Sequence, residues 1–79
     1  MSEMKIRQDI PILSENLKKL RLRHNMTQEQ ITAKMQVEGC SISRTTYTKI
    51  ELGVYPIRLS ELEVLRKLYN VSYNELFKH

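Results

Sequence analysis

Seventy-nine residues make one small domain, and 13 basic against 9 acidic side chains leave a net charge of +4, a balance that favours a polyanionic partner without requiring one. With 41% hydrophobic and 28% charged residues the chain is globular rather than disordered, and the lone Cys40 excludes an internal disulfide. No metal-ligand spacing, signal peptide or apolar run of roughly 20 residues occurs, so no metal, cofactor or membrane role is expected, and a reducing cytoplasm fits the single thiol.

Residues 1–9 are mixed and polar and read as a loose, flexible arm, with the domain proper over 10–79. From about Ile10 the pattern turns helical: Leu13, Leu17 and Leu20 recur at i, i+4 and i+7, with Lys18, Lys19, Arg21 and Arg23 mostly off that stripe. Pro11 fits a first turn, and the helix should end near His24-Asn25.

A local device then repeats. Thr27 with Gln30, Ser60 with Glu63 and Ser72 with Glu75 each have capping-box spacing. Each is flanked by a hydrophobic staple: Met26/Ile31, Leu59/Val64 and Val71/Leu76. Helix two is expected from Gln28 to about Glu38, with Ile31 and Met35 inward and Gly39 as its stop.

Helix three begins at the good N-cap Ser43 and stops at Gly53. At about 100° per residue, Tyr47 and Ile50 share one face, while Thr45, Thr48, Lys49 and Leu52 share the other, with Arg44 in the first turn. So short a helix needs Tyr47 and Ile50 to pin it to a core. Its other face then offers Arg and Lys suited to guanine, and Thr suited to several base edges or a thymine methyl. A plain solvated helix surface has the same composition, and the segment alone leaves both readings open.

Pro56 makes 54–58 a loop. Helix four is expected over Glu61 to Tyr69, burying Leu62, Leu65 and Leu68 and stopping at Asn70; a last short helix covers Tyr73 to Phe77. No strand signal is convincing, so five helices with short connections make an all-α domain.

Four segments in order carry a family resemblance: Leu17-Lys18-Lys19-Leu20-Arg21; Met26-Thr27-Gln28-Glu29-Gln30-Ile31; Ile42-Ser43-Arg44-Thr45-Thr46-Tyr47-Thr48-Lys49-Ile50-Glu51; and Val71-Ser72-Tyr73-Asn74-Glu75-Leu76-Phe77. Over about residues 13–77 the chain resembles the Cro/cI (Xre-type) helix-turn-helix family. The resemblance implies a compact five-helix bundle of the lambda-repressor-like type. It implies a sequence-specific regulator of transcription, a repressor, that binds double-stranded DNA as a homodimer on a palindromic operator, without enzymatic activity.

By position the resemblance assigns Arg44, Thr45, Thr48 and Lys49 to bases. It assigns Gln28, Ser43 and Thr46 to phosphates, Gln28 helped by the positive end of its helix. Tyr55 and Arg58 follow the recognition helix where family members touch the backbone. Arg21 and Glu51 match a structural ion pair.

Two features depart from the family. Residues 36–41 lengthen the interval between helices two and three, so helix two is extended or the turn bulges. Leu52 is apolar where a polar or basic residue is usual. It would pack on a sugar or thymine methyl, or it belongs to a protein contact.

Cys40 reads as a small inert apolar residue, Met26 and Met35 as core filler, and His24 and His79 lack catalytic company. Tyr69, Tyr73, Leu76 and Phe77 either form a dimer surface or close the core. The rival to DNA binding is a protein-interaction module reusing the fold, such as an antitoxin or adaptor; another is the N-terminal half of a larger regulator.

Overall fold

A computed structural model describes the backbone of Lys5–Ile6 and residues 12–79 in full. In order these form β1 (Lys5–Ile6), α1 (Ile12–Arg23), α2 (Gln28–Val37), α3 (Arg44–Leu52), β2 (Ile57–Arg58), α4 (Leu59–Tyr69) and α5 (Tyr73–Leu76). Five helices among the described residues make the mostly helical fold expected. The remainder of the expected 1–9 arm, Pro11 and the proposed helix start at Ile10 lie outside the described residues.

The unforeseen addition is a two-residue antiparallel ladder, with Lys5 opposite Arg58 and Ile6 opposite Ile57. Two residues are too few for period-2 alternation to register, which is why no strand was visible in the sequence.

One core joins every helix. Leu13, Leu17 and Leu20 of α1 meet Ile31 and Met35 of α2, Tyr47 and Ile50 of α3, Leu62, Leu65 and Tyr69 of α4, and Leu76 of α5. Each large side chain fully buried this way contributes about 1.5–3 kcal/mol. The third helix packs against both α1 and α2, so its orientation is fixed from two sides.

The starts of α2 and α5 use the boxes read from the sequence. Thr27 Oγ1 accepts from the Gln30 amide at 3.1 Å while Gln30 accepts from the Thr27 amide at 2.8 Å. Ser72 and Glu75 repeat the exchange.

The expected Ser60–Glu63 box is not the start of α4, which begins two residues earlier. Arg58 occupies the N-cap, and Glu61 accepts its amide at 2.8 Å. A guanidinium has no acceptor, so only this half of a box forms. Glu63 turns instead to Arg66 and to the Tyr73 hydroxyl. In the same helix it is Tyr69 that is buried, with Leu68 only partly so.

Four helices end alike. Asn25, Gly39, Gly53 and Asn70 have φ between 55° and 85°. The N–H of each bonds the carbonyl three residues back, and the following N–H bonds the one five back. These are Schellman closures. The long interval before α3 is therefore a turn at Gly39 plus a link through Ile42, which is buried; α2 is not extended beyond its expected end.

Candidate nucleic-acid interface

The Ser43 hydroxyl starts α3 by accepting from the Thr46 amide at 3.1 Å, and Gly53 stops it. Between them Tyr47 and Ile50 are fully buried. The Tyr47 hydroxyl is satisfied inside the core by that of Tyr69, 2.8 Å away. Burial first, and the neighbouring phenol second, raise Tyr47 well above the usual tyrosine range; burial also raises Tyr69.

With that face anchored, Arg44, Thr45 and Lys49 are exposed. They line a shallow groove together with Thr48 and Leu52. Leu52 is 67% exposed, and Val54 just beyond it 68%. Arg44 also borders a second groove with Thr27, Gln28 and Glu29. Its Nη1 lies 3.8 Å from Glu29 Oε1, both side chains being largely solvated. A pair of that kind contributes about 0–1 kcal/mol, so a phosphate or guanine can displace it.

Behind the exposed row runs a polar chain through three helices. The Arg21 guanidinium grips Glu51 through Nε at 2.7 Å and Nη2 at 3.1 Å, and its Nη1 donates to the Met26 carbonyl at 2.9 Å. The two side chains are 11% and 4% exposed. Its bond to Glu51 raises the Arg21 pKa further above its ordinary value. Gln28 Nε2 donates to Glu51 Oε1 at 3.2 Å, and Gln28 Oε1 accepts from the Thr48 hydroxyl at 2.5 Å. Breaking a buried ion pair on one side costs about 3–5 kcal/mol. This chain therefore sets the angle at which α2 meets α3, and Glu51 adds no uncompensated charge to the surface.

Of the residues singled out in the sequence, Gln28, Ser43, Arg44, Thr45, Thr46, Thr48 and Lys49 lie on α2 and α3 and their caps; Arg21 and Glu51 brace them from within. Tyr55 does not join them freely. Its hydroxyl donates to Glu61 Oε2 at 3.0 Å, and a phosphate would have to compete for that proton. Arg58 is exposed. Sequence reasoning missed Glu61, a carboxylate only 5% exposed that holds both Arg58 and Tyr55; the signal present was its i+3 spacing from Arg58.

Tyr69 and Leu76 are 1% and 0% exposed, so these two close the core rather than offer a dimer surface. Tyr73 and Phe77, at 39% and 41%, remain on the outside. No helix among the described residues is long and apolar enough to cross a membrane, and none of their His, Cys, Asp and Glu side chains gather into a metal-holding group.

A helix-turn-helix family model matches residues 17–76. The fold is similar to the crystal structure of a tyrosine-to-phenylalanine mutant of the restriction-modification controller protein C.Esp1396I, at 29% identity and a TM-score of 0.69, over 86% of this chain and 80% of that one. No curated protein matches the sequence.

Proposed function

As a member of the Cro/cI-type helix-turn-helix family this chain is a DNA-binding transcription regulator, and we propose that it is a repressor that acts by occupying a palindromic operator as a homodimer. One observation carries this reading: α3 buries Tyr47 and Ile50 completely while Arg44, Thr45 and Lys49 stand exposed beside the N-terminus of α2. That face suits the major groove. Arg44 and Lys49 would address guanine O6 and N7, and Thr45 a neighbouring edge, with Thr48 next to them. Gln28, Ser43, Thr46 and, outside them, Arg58 would meet phosphates and set the register. Two α3 helices related by a twofold axis would enter successive major grooves about 34 Å apart.

Binding selection from a random duplex pool tests the proposal directly, because the recovered site reveals both the sequence and any twofold symmetry. Arg44→Ala is expected to relax one position of that site, at about 1–3 kcal/mol for the preferred base. An Arg44→Ala protein that discriminates as well as the parent would overturn the assignment.

The exposed pair Leu52 and Val54 favours a second reading, a module that binds another protein, as an antitoxin or adaptor does. Salt separates the two, since only neutralisation of phosphates produces a steep linear fall of log affinity with log salt.

A further inference from the structure

We propose that Thr48 is a positioning residue, acting on DNA through Gln28, and that its hydroxyl donates to no base. The inference rests on the DNA-binding reading above and narrows its donors to base acceptors to Arg44, Thr45 and Lys49.

A threonine hydroxyl has one proton to give. In Thr48 that proton lies between Gln28 Oε1 at 2.5 Å and the Arg44 carbonyl at 3.0 Å. Both acceptors belong to the protein, so no proton is left for a base acceptor in the groove.

The consequence falls on Gln28. Its Oε1 is engaged by Thr48, and one hydrogen of Nε2 is engaged by Glu51 Oε1 at 3.2 Å. Glu51 is itself held by two bonds from Arg21. The amide is thus fixed at both ends, and its sense is fixed too. Reversed, it would set a carbonyl oxygen against the Glu51 carboxylate. The one group left over is the second Nε2 hydrogen, in the first turn of α2, where the free amides of the helix also favour an anion. Thr48 in α3 and Glu51 at its end therefore aim a donor that belongs to α2. The contact that positions the backbone is coupled to the helix that reads the sequence.

Thr48→Val keeps the shape and removes the hydroxyl; Thr48→Ser keeps the hydroxyl. Each is to be measured against the parent by duplex binding and pool selection, alone and with Gln28→Ala. For Thr48→Val the expected result is a loss of about three- to tenfold, the worth of one hydrogen bond, equal on all sequences. The selected site should stay the same, and the loss should disappear in the Gln28→Ala background. Thr48→Ser should bind as the parent does. In the DNA-free protein the Gln28 side-chain amide protons should exchange with solvent faster in Thr48→Val than in Thr48→Ser. A base changed at one position of the site by Thr48→Val, or a loss undiminished without Gln28, overturns the assignment while the DNA-reading proposal stands. If the unmutated chain enriches no sequence, the DNA-reading proposal falls and takes this one with it.

Discussion

Tyr47 carries a hydroxyl into a place where Leu or Ile would have none to satisfy. An unpaired buried hydroxyl costs about 1–3 kcal/mol, and the partner found is Tyr69, on a helix 22 residues further along the chain. The inward turn of Tyr47 was legible from helical periodicity alone. That of Tyr69 was not, because it depends on a hydroxyl partner that only the folded chain brings near. The pair also predicts an alkaline limit. Both phenols titrate above the ordinary value of 10.0 in the folded state, chiefly through burial. As pH rises past about 10, the unfolded chain releases these protons and the folded chain keeps them. Stability is therefore fully present below pH 10 and falls above it, by up to about 1.4 kcal/mol per pH unit for each tyrosine. Urea midpoints between pH 9 and 11 should show the fall, and Tyr69→Phe should lessen its slope. Ionisation of all four tyrosines with the chain still folded at pH 11 would contradict it.

Helix ends are the elements in which sequence and structure agree best, because capping chemistry is local. Thr27 with Gln30 and Ser72 with Glu75 sit three residues apart, and their bonds need no distant partner. The start of α4 escaped the same reasoning. Two overlapping candidates exist, Arg58 with Glu61 and Ser60 with Glu63, and side chains from elsewhere choose between them. Tyr55 draws Glu61 into the first pairing, while Arg66 and Tyr73 draw Glu63 away and lower its pKa to about 2. The two glycine stops can be told apart by experiment. Both have positive φ, 85° at Gly39 and 77° at Gly53. A Cβ at Gly39 would meet nothing within 4 Å, whereas one at Gly53 would lie 3.1 Å from Ser14 Oγ. Gly39→Ala should cost the left-handed strain alone, about 1–2 kcal/mol. Gly53→Ala should cost more, because the end of α3 is seated against the buried Ser14 of α1. Equal losses in urea unfolding would mean that Ser14 yields freely and that this contact does not fix the recognition helix.

For the molecule as a whole, the proposed twofold arrangement needs a surface away from α3 that joins two copies. The sequence offered four candidates near the C-terminus. Burial removes Tyr69 and Leu76, leaving Tyr73 and Phe77 at 39% and 41% exposure. Tyr73 is already organised: the Arg66 guanidinium sits 5.4 Å from its ring centre, and its hydroxyl bonds Glu63. Phe77 has no such polar role, and the carbonyls of Leu76 and Lys78 on either side of it are tied to Asn16 Nδ2 at 2.8 Å each. An exposed aromatic ring on so restrained a backbone loses little further entropy when covered. We therefore expect the parent chain, 9.4 kDa, to sediment at about twice that mass, and Phe77→Glu to sediment as a monomer with the thermal midpoint that the parent shows once diluted to monomer. On a palindromic site the variant should bind at least about 100-fold more weakly, since linked half-sites gain that much from effective concentration, yet it should match the parent monomer on an isolated half-site. A Phe77→Glu protein that remains dimeric would move the interface elsewhere. A parent chain that is monomeric while saturating a palindrome would remove the homodimer from the proposal and leave α3 reading DNA from single subunits.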